Sequence, residues 1–303
     1  NAYTGVAGII KALEADADII ITGRVADSAL TLAPLIHEFK WALNDYDKMS
    51  MGSLAGHLIE CGAQATGGNF TDWSQVPQPE NIGFPIVEVG SSGEFTVTKP
   101  QATGGLINRL TVAEQLVYEI GDPCAYYLPD VICDWSQVKL EEIPHGTLSS
   151  IESVRVTNAF GAPPTGQYKM AATHPDGYKI STAFLIYGPD SAAKAQHVGH
   201  SIFKKASKVC VEKGLKPIED FEINIIGADA TQSNQSINSY HAHEVVLKLG
   251  ARHESKQALV IFSKELAQAS TSNAPGLCPL SGARPKVYPL IRLFTALVPN
   301  TLV

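Results

Sequence analysis

Apolar positions recur at helical spacing from the start of the chain. Val6, Ile9, Ile10 and Leu13 fall on one helical face, with Ala12 and Ala15 filling in. A short β-branched run at residues 19–22 then ends at a glycine. That is the pattern of a buried parallel strand whose C-terminal end faces a ligand. Asp27 or Ser28 can cap the next helix, which carries Leu30, Leu32, Leu35 and Ile36. The spacing predicts a further helix over residues 51–64. Between residues 73 and 105 the prolines break helices, and FPIVEVGSSGEFTVTKP predicts a β-hairpin turning at SSG. A helix is expected over 111–119, with Thr111 and Glu114 at capping-box spacing, and a strand over 131–135.

After residue 150 the alternation of Val154 and Val156, then of 168–172 and 179–187, predicts strands separated by the turn HPDG. A long helix is expected from Asp190 to about residue 213, stopped by Gly214. A strand at 221–226 and a helix at 257–269 follow. Residues 245–249 fit either helix or strand. The expected fold class is α/β: a parallel-strand α/β core over residues 1–148, packed with an α+β layer-sandwich region over 149–303.

Composition narrows the function classes. The 303 residues carry 23 Lys+Arg against 30 Asp+Glu, a net charge of -7. A nucleic-acid coat needs the opposite balance. Hydrophobic residues make up 45% of the chain, enough to build large cores rather than a disordered chain. No run of 18 apolar residues occurs, so no transmembrane helix is expected. The five cysteines are odd in number and contain no C-x-x-C, which argues against a disulfide scaffold or a structural zinc site. A cytoplasmic location is expected, or a mitochondrial one if a transit peptide precedes Asn1.

Several segments bring chemistry-bearing residues together. In TGRVADSAL, Gly23 lets a ligand approach backbone, Arg24 offers a charged fork for carboxylate or phosphate, and Asp27 is an acid–base group or a helix cap. In GHLIECGAQATGG, His57, Glu60, Cys61 and Gln64 share one polar helix face. His57 and Glu60 suit an acid–base pair as well as a buried, satisfied histidine; for Cys61 an inert buried thiol is favoured over a thiolate nucleophile. The motif TGG occurs twice, as Thr66, Gly67, Gly68 and as Thr103, Gly104, Gly105, with Lys99 just before the second. Paired glycines form either an N–H nest for an anion or an ordinary tight turn. His241, His243 and Glu244 have no third spaced ligand nearby, so a solvated polar face is favoured and no metal is expected.

In order along the chain, ADIIITGRVADSALTLAPLIHEF, GHLIECGAQATGGNF, NIGFPIVEV, TVTKPQATGGLI, QLVYEIGDPCAYYLPDV and NAPGLCPLSGARPKVYPL resemble the acyclic terpene utilisation family, the AtuA-type proteins. The resemblance runs over nearly the whole chain, more loosely through 140–270. It implies a core domain beginning upstream of Asn1 and a small domain beyond the GARPK block, so the chain is expected to be an internal piece of a longer protein. It also implies a role in the breakdown of acyclic terpenes such as citronellol and geraniol, and of related branched acids as CoA thioesters. The recurring blocks carry over to Gly23, Arg24, Asp27, His57, Glu60, Cys61, Gly62, Thr66, Gly67, Gly68, Lys99, Thr103, Gly104, Gly105, Gly121, Asp122 and Asp130.

The expected activity is that of an enzyme on an acyl-CoA thioester: a hydratase, lyase or thioester hydrolase. CoA enters only as part of the substrate, with no separate cofactor. His57, Glu60 and Asp27 are the expected catalytic groups. Gly23, Arg24, Lys99 and the two TGG loops are the expected ligand contacts, the loops polarising the acyl carbonyl. The alternative is a non-catalytic subunit that binds CoA esters or scaffolds a partner enzyme. A homo-oligomer is expected on general grounds.

Overall fold

A computed structural model describes residues 1–143, 153–228, 242–280 and 282–303. The expected division at 148/149 and the expected His241 lie outside these residues. The chain splits into two compact units, one of Asn1–Ala172 with Thr295–Val303, the other of Thr173–Phe294.

The described helices are α1 (Ala7–Glu14), α2 (Ala29–Phe39), α3 (Tyr46–Glu60), α4 (Arg109–Val117), α5 (Ser191–Glu212) and α6 (Lys256–Ser272). The strands are β1 (Ile86–Val89), β2 (Phe95–Thr98), β3 (Tyr126–Tyr127), β4 (Ile132–Asp134), β5 (Lys139–Ile143), β6 (Ser153–Thr157), β7 (Phe160–Ala162), β8 (Gln167–Tyr187), β9 (Asp220–Ile226), β10 (Glu244–His253), β11 (Leu277–Pro279) and β12 (Tyr288–Pro299). They form three sheets, ordered β1-β2-β6-β5, β3-β4-β7 and β11-β8-β10-β9, with β12 also on β8.

All three sheets are antiparallel, and this overturns the expected α/β class. The fold is mixed α+β, with no parallel-strand core. Among the described residues, the parallel pairings are two isolated bridges, Thr4 with Val25 and Ile82 with Gly104. The error traces to residues 19–22. Their apolar run adopts no strand, and Ile19 and Ile21 are 82% and 92% exposed. A strand exists only where a neighbour takes up its N–H and C=O groups. No described strand pairs with this run, so its β-branched residues follow their composition without its usual consequence.

In the first unit the core gathers around α3. Residues 49–58 of this helix are all buried, although its apolar and polar residues are mixed. Two glycines explain how it is enclosed. A Cβ at Gly52 would stand 2.6 Å from a Leu32 methyl, and one at Gly56 only 2.8 Å from the Ser28 backbone. α2 can therefore close on α3 at backbone distance. Asp45 starts α3 by accepting a hydrogen bond from the Lys48 N–H. The expected hairpin of β1 and β2 is present, with Ile86 opposite Thr98 and Val89 opposite Phe95. Helix α4 is capped by a box of Asn108 and Thr111, one turn earlier than the expected Thr111–Glu114 pair.

In the second unit, α5 and α6 cover one face of the third sheet. Val245, Leu247, Leu249 and Ala251 alternate inward along β10, meeting Ile180, Phe184 and Ile186 of β8. Phe203 stacks between Phe221 and Phe262, with ring centroids at 4.1 and 4.8 Å. HPDG makes no hairpin turn. β8 runs straight through it, because the strand that pairs with residues 178–187 is the downstream β10. Residues 245–249, ambiguous in sequence, are strand.

Candidate functional site

The C-terminal turn of α3 presents His57 and Glu60 one helical turn apart. His57 is 2% exposed. Its Nδ1 lies 3.0 Å from Glu60 Oε1 and its Nε2 lies 2.9 Å from the backbone carbonyl oxygen of Gln115. A carbonyl oxygen only accepts, so Nε2 carries a proton and donates to Gln115. A second proton must lie between Nδ1 and Oε1, since two bare acceptors would repel at that distance. The pair is therefore imidazolium with carboxylate, or imidazole with carboxylic acid, and neutral overall in both forms. The Gln115 side chain, fully buried on α4, donates back to the His57 carbonyl at 2.9 Å. Two reciprocal bonds thus clamp α3 to α4 and hold the imidazole. Trp135 packs on it at 5.2 Å between centroids and donates its indole N–H to Ser50 Oγ.

A cavity of about 530 Å³ opens beside this pair, within the range of small-molecule sites. Glu60, His57, Asp27, Ser28, Tyr3 and Tyr126 line it, with Tyr127, Leu128, Pro129 and Leu297 as its more apolar wall. Thr165, just before β8, and Gln167 and Lys169 at its start supply a polar row. Burial, reinforced by the Glu60 charge, pushes the Tyr126 phenol up to about 12, so it faces the cavity as a neutral hydrogen-bond donor. With both ring nitrogens of His57 engaged, Glu60 is the member of the pair free to meet a ligand. His57 orients it.

Asp27 lines the same cavity from the entrance to α2. Its carboxylate pairs with Arg24 at 3.4 Å, both side chains exposed, while Ser28 occupies the helix cap without a side-chain bond. Arg24 also lies 4.7 Å over the ring of Tyr3 and donates to its hydroxyl. The Tyr3 hydrogen bond, and then the charge of Asp27, push the Arg24 guanidinium further up. Gly23 stands in open space.

The two TGG loops come together with each other, outside this cavity lining. The Leu106 N–H donates to Thr66 O, Gly105 to Pro77 O, Gly104 to Asn81 O, Gly67 to Gln64 O and Gly68 to Ala63 O. Gly67 and Gly105 take positive φ, which fits their tight turns. Lys99 donates to Thr103 O at 2.9 Å. The N–H groups of these glycines are thus engaged within the protein. Burial pushes the Cys61 thiol up, against a smaller downward pull from Gln115, which is the opposite of an activated thiolate. His243 is exposed, and among the described residues no group of three His, Cys, Asp or Glu could hold a metal ion.

Asp130 follows Pro129 of the cavity wall and is not itself part of the lining. Its carboxylate accepts from the Val6 N–H at the start of α1, and burial pushes it up to about 6. Sequence reasoning did not single out Tyr3, Tyr126, Gln167 or Lys169 as site residues. The alternation of Gln167 and Lys169 as polar positions on one face of β8 was the available signal.

The structure is that of a mixed α+β protein with a histidine–glutamate pair at the wall of a cavity. The chain belongs to the acyclic terpene utilisation family: the model of family protein AtuA matches residues 1–303. That membership points to a role in terpene catabolism. No curated protein and no solved structure matches the chain. No helix among the described residues is long and apolar enough to cross a membrane.

Proposed function

We propose that the chain is an enzyme of acyclic-terpene or branched-chain acyl catabolism, acting on an acyl-CoA thioester by proton transfer at Glu60. The observation that carries this reading is the pairing of the buried His57 with Glu60 at the wall of a partly apolar cavity. Oε1 of Glu60 is taken by His57. A proton drawn from a substrate carbon or a water would be received at Oε2. His57 positions the carboxylate and shares its charge, Tyr126 offers a hydrogen bond to a substrate oxygen, and Asp27 stands nearby as a second carboxylate. The apolar wall suits a branched hydrocarbon chain.

A second reading has its own support. The N–H groups of the TGG loops are engaged internally, which favours a subunit that binds a CoA ester without polarising its carbonyl there. Turnover of geranyl- and methyl-branched CoA esters, measured with His57→Ala and Glu60→Ala variants, separates the two. Catalysis at the pair requires losses of about 10²-fold or more in kcat. Full activity in both variants would contradict it, and tight binding without turnover would favour the second reading.

A further inference from the structure

The charges around the cavity do not cancel. Two carboxyl groups line it, and each already has a partner: Asp27 has Arg24 at 3.4 Å and Glu60 has His57 at 3.0 Å. Lys169 also lines the cavity, and it forms no ion pair among the described residues. Its ammonium instead lies 5.5 Å over the face of Tyr3, the ring that Arg24 covers at 4.7 Å. Tyr3 is fixed in place by its own backbone, whose N–H donates to the Lys169 carbonyl at 2.9 Å. The bridge of Ala2 to Met170 and the bond from the Ala171 N–H to Asn1 O continue the same pairing. A cation held on an aromatic face is oriented without being neutralised.

We infer that Lys169, held by Tyr3, is the recognition residue for an anionic group of the ligand, a carboxylate or a phosphate, at the end of the cavity formed by β8. This rests on the cavity being the ligand site proposed above. The cavity then reads as a polarised slot. The anion sits on Lys169 with the amide of Gln167 on the same strand face, the hydrocarbon lies on the wall of Leu128, Pro129 and Leu297, and Glu60 faces the reacting position. A ligand lacking the anion would leave the ammonium uncompensated.

The test is calorimetric titration of the full chain with citronellic acid, its neutral primary amide and free CoA, using wild type, Lys169→Met and Lys169→Arg. Wild type is expected to bind at least one anionic probe, and the acid more tightly than the amide. Lys169→Met should weaken the anionic probe about 10- to 100-fold, the worth of a charge-assisted hydrogen bond, and leave the amide unchanged. Lys169→Arg should keep most of the affinity. Selective loss for the acid identifies a carboxylate, and selective loss for free CoA identifies a phosphate; either supports the inference. If wild type binds and Lys169→Met binds every probe as well, or loses acid and amide equally, the role of Lys169 is overturned while the cavity reading stands. If wild type binds none of the three, the inference and the cavity reading fail together. Thermal melts of each variant guard against misfolding as the cause of a loss.

Discussion

The two compact units bury different things. The core of the second is almost wholly apolar: among its described residues, the buried polar side chains are Ser191 and Ser263. The core of the first encloses Ser50, Ser53, His57, Thr66, Thr111 and Gln115, all but His57 at 1% exposure or less. Burying a polar group costs stability unless it is bonded. In the first unit most of these groups converge on α3 and its partner α4, and the convergence holds one imidazole against one carboxylate. The second unit has no such concentration. Its ion pairs, such as Arg252 with Asp220 and Arg292 with Asp176, lie among exposed side chains. The proposed chemistry falls in the first unit, while the buried positions of the second are filled almost wholly by apolar packing.

That contrast can be broken at several points. The largest effect is expected from Phe262→Ala, which removes a fully buried ring from the stack with Phe203. The second unit should lose about 3–5 kcal/mol in urea unfolding. A loss below about 1 kcal/mol would mean that its core is not closely packed.

Asp130→Asn tests the first unit through pH. The folded-state value of Asp130 is about 6, above the ordinary 3.8, because burial opposes its charge. A raised carboxylate contributes stability that is fully present below pH about 4 and lost as pH rises through 6. The Asn variant cannot ionise and still accepts from Val6. It should therefore match wild type near pH 4 and exceed it by about 1–3 kcal/mol at pH 8, read from unfolding curves at both pH values. Equal stability at pH 8 would contradict a buried, costly charge there.

Gln115→Leu removes the bond to the His57 carbonyl while keeping the core filled. About 1–2 kcal/mol should be lost in unfolding, together with a fall in activity or affinity as the clamp on His57 loosens. Stability lost with function intact would make the clamp merely structural.

These predictions rest on features that differ in how well the sequence showed them. The hairpin of β1 and β2, helix α5 with its stop at Gly214, and the pairing of His57 with Glu60 were legible because local rules decide them: turn residues, a 3.6-residue period, an i, i+3 spacing. Residues 19–22 misled because β-branched runs signal strand propensity, and pairing is a tertiary fact. HPDG misled for a related reason. Turn-forming residues do not turn a strand whose hydrogen-bonding partner lies further down the chain. The half of the cavity built by Tyr3 and Lys169 was hidden because 166 positions separate them, and only the pairing of the N-terminus with β8 brings them together.

The smallest effect is expected from Gly23→Ala. Nothing lies within 4 Å of a Cβ placed there. Stability should change by less than about 0.5 kcal/mol. A ligand that needs backbone approach at this point would instead show itself as a selective loss of affinity, which would extend the site beyond the cavity.

The most direct measurement of the central claim compares Glu60→Gln with wild type for turnover of a branched-chain CoA ester, alongside binding of the same ester and urea unfolding. Glutamine keeps the size of Glu60 and an acceptor for His57, but it cannot take a proton. If proton transfer at this pair is the chemistry, kcat falls about 10²-fold or more while affinity and stability stay near wild type. If turnover persists at the wild-type rate in a folded Glu60→Gln protein, the His57–Glu60 pair is a structural element of the core and the reaction lies elsewhere.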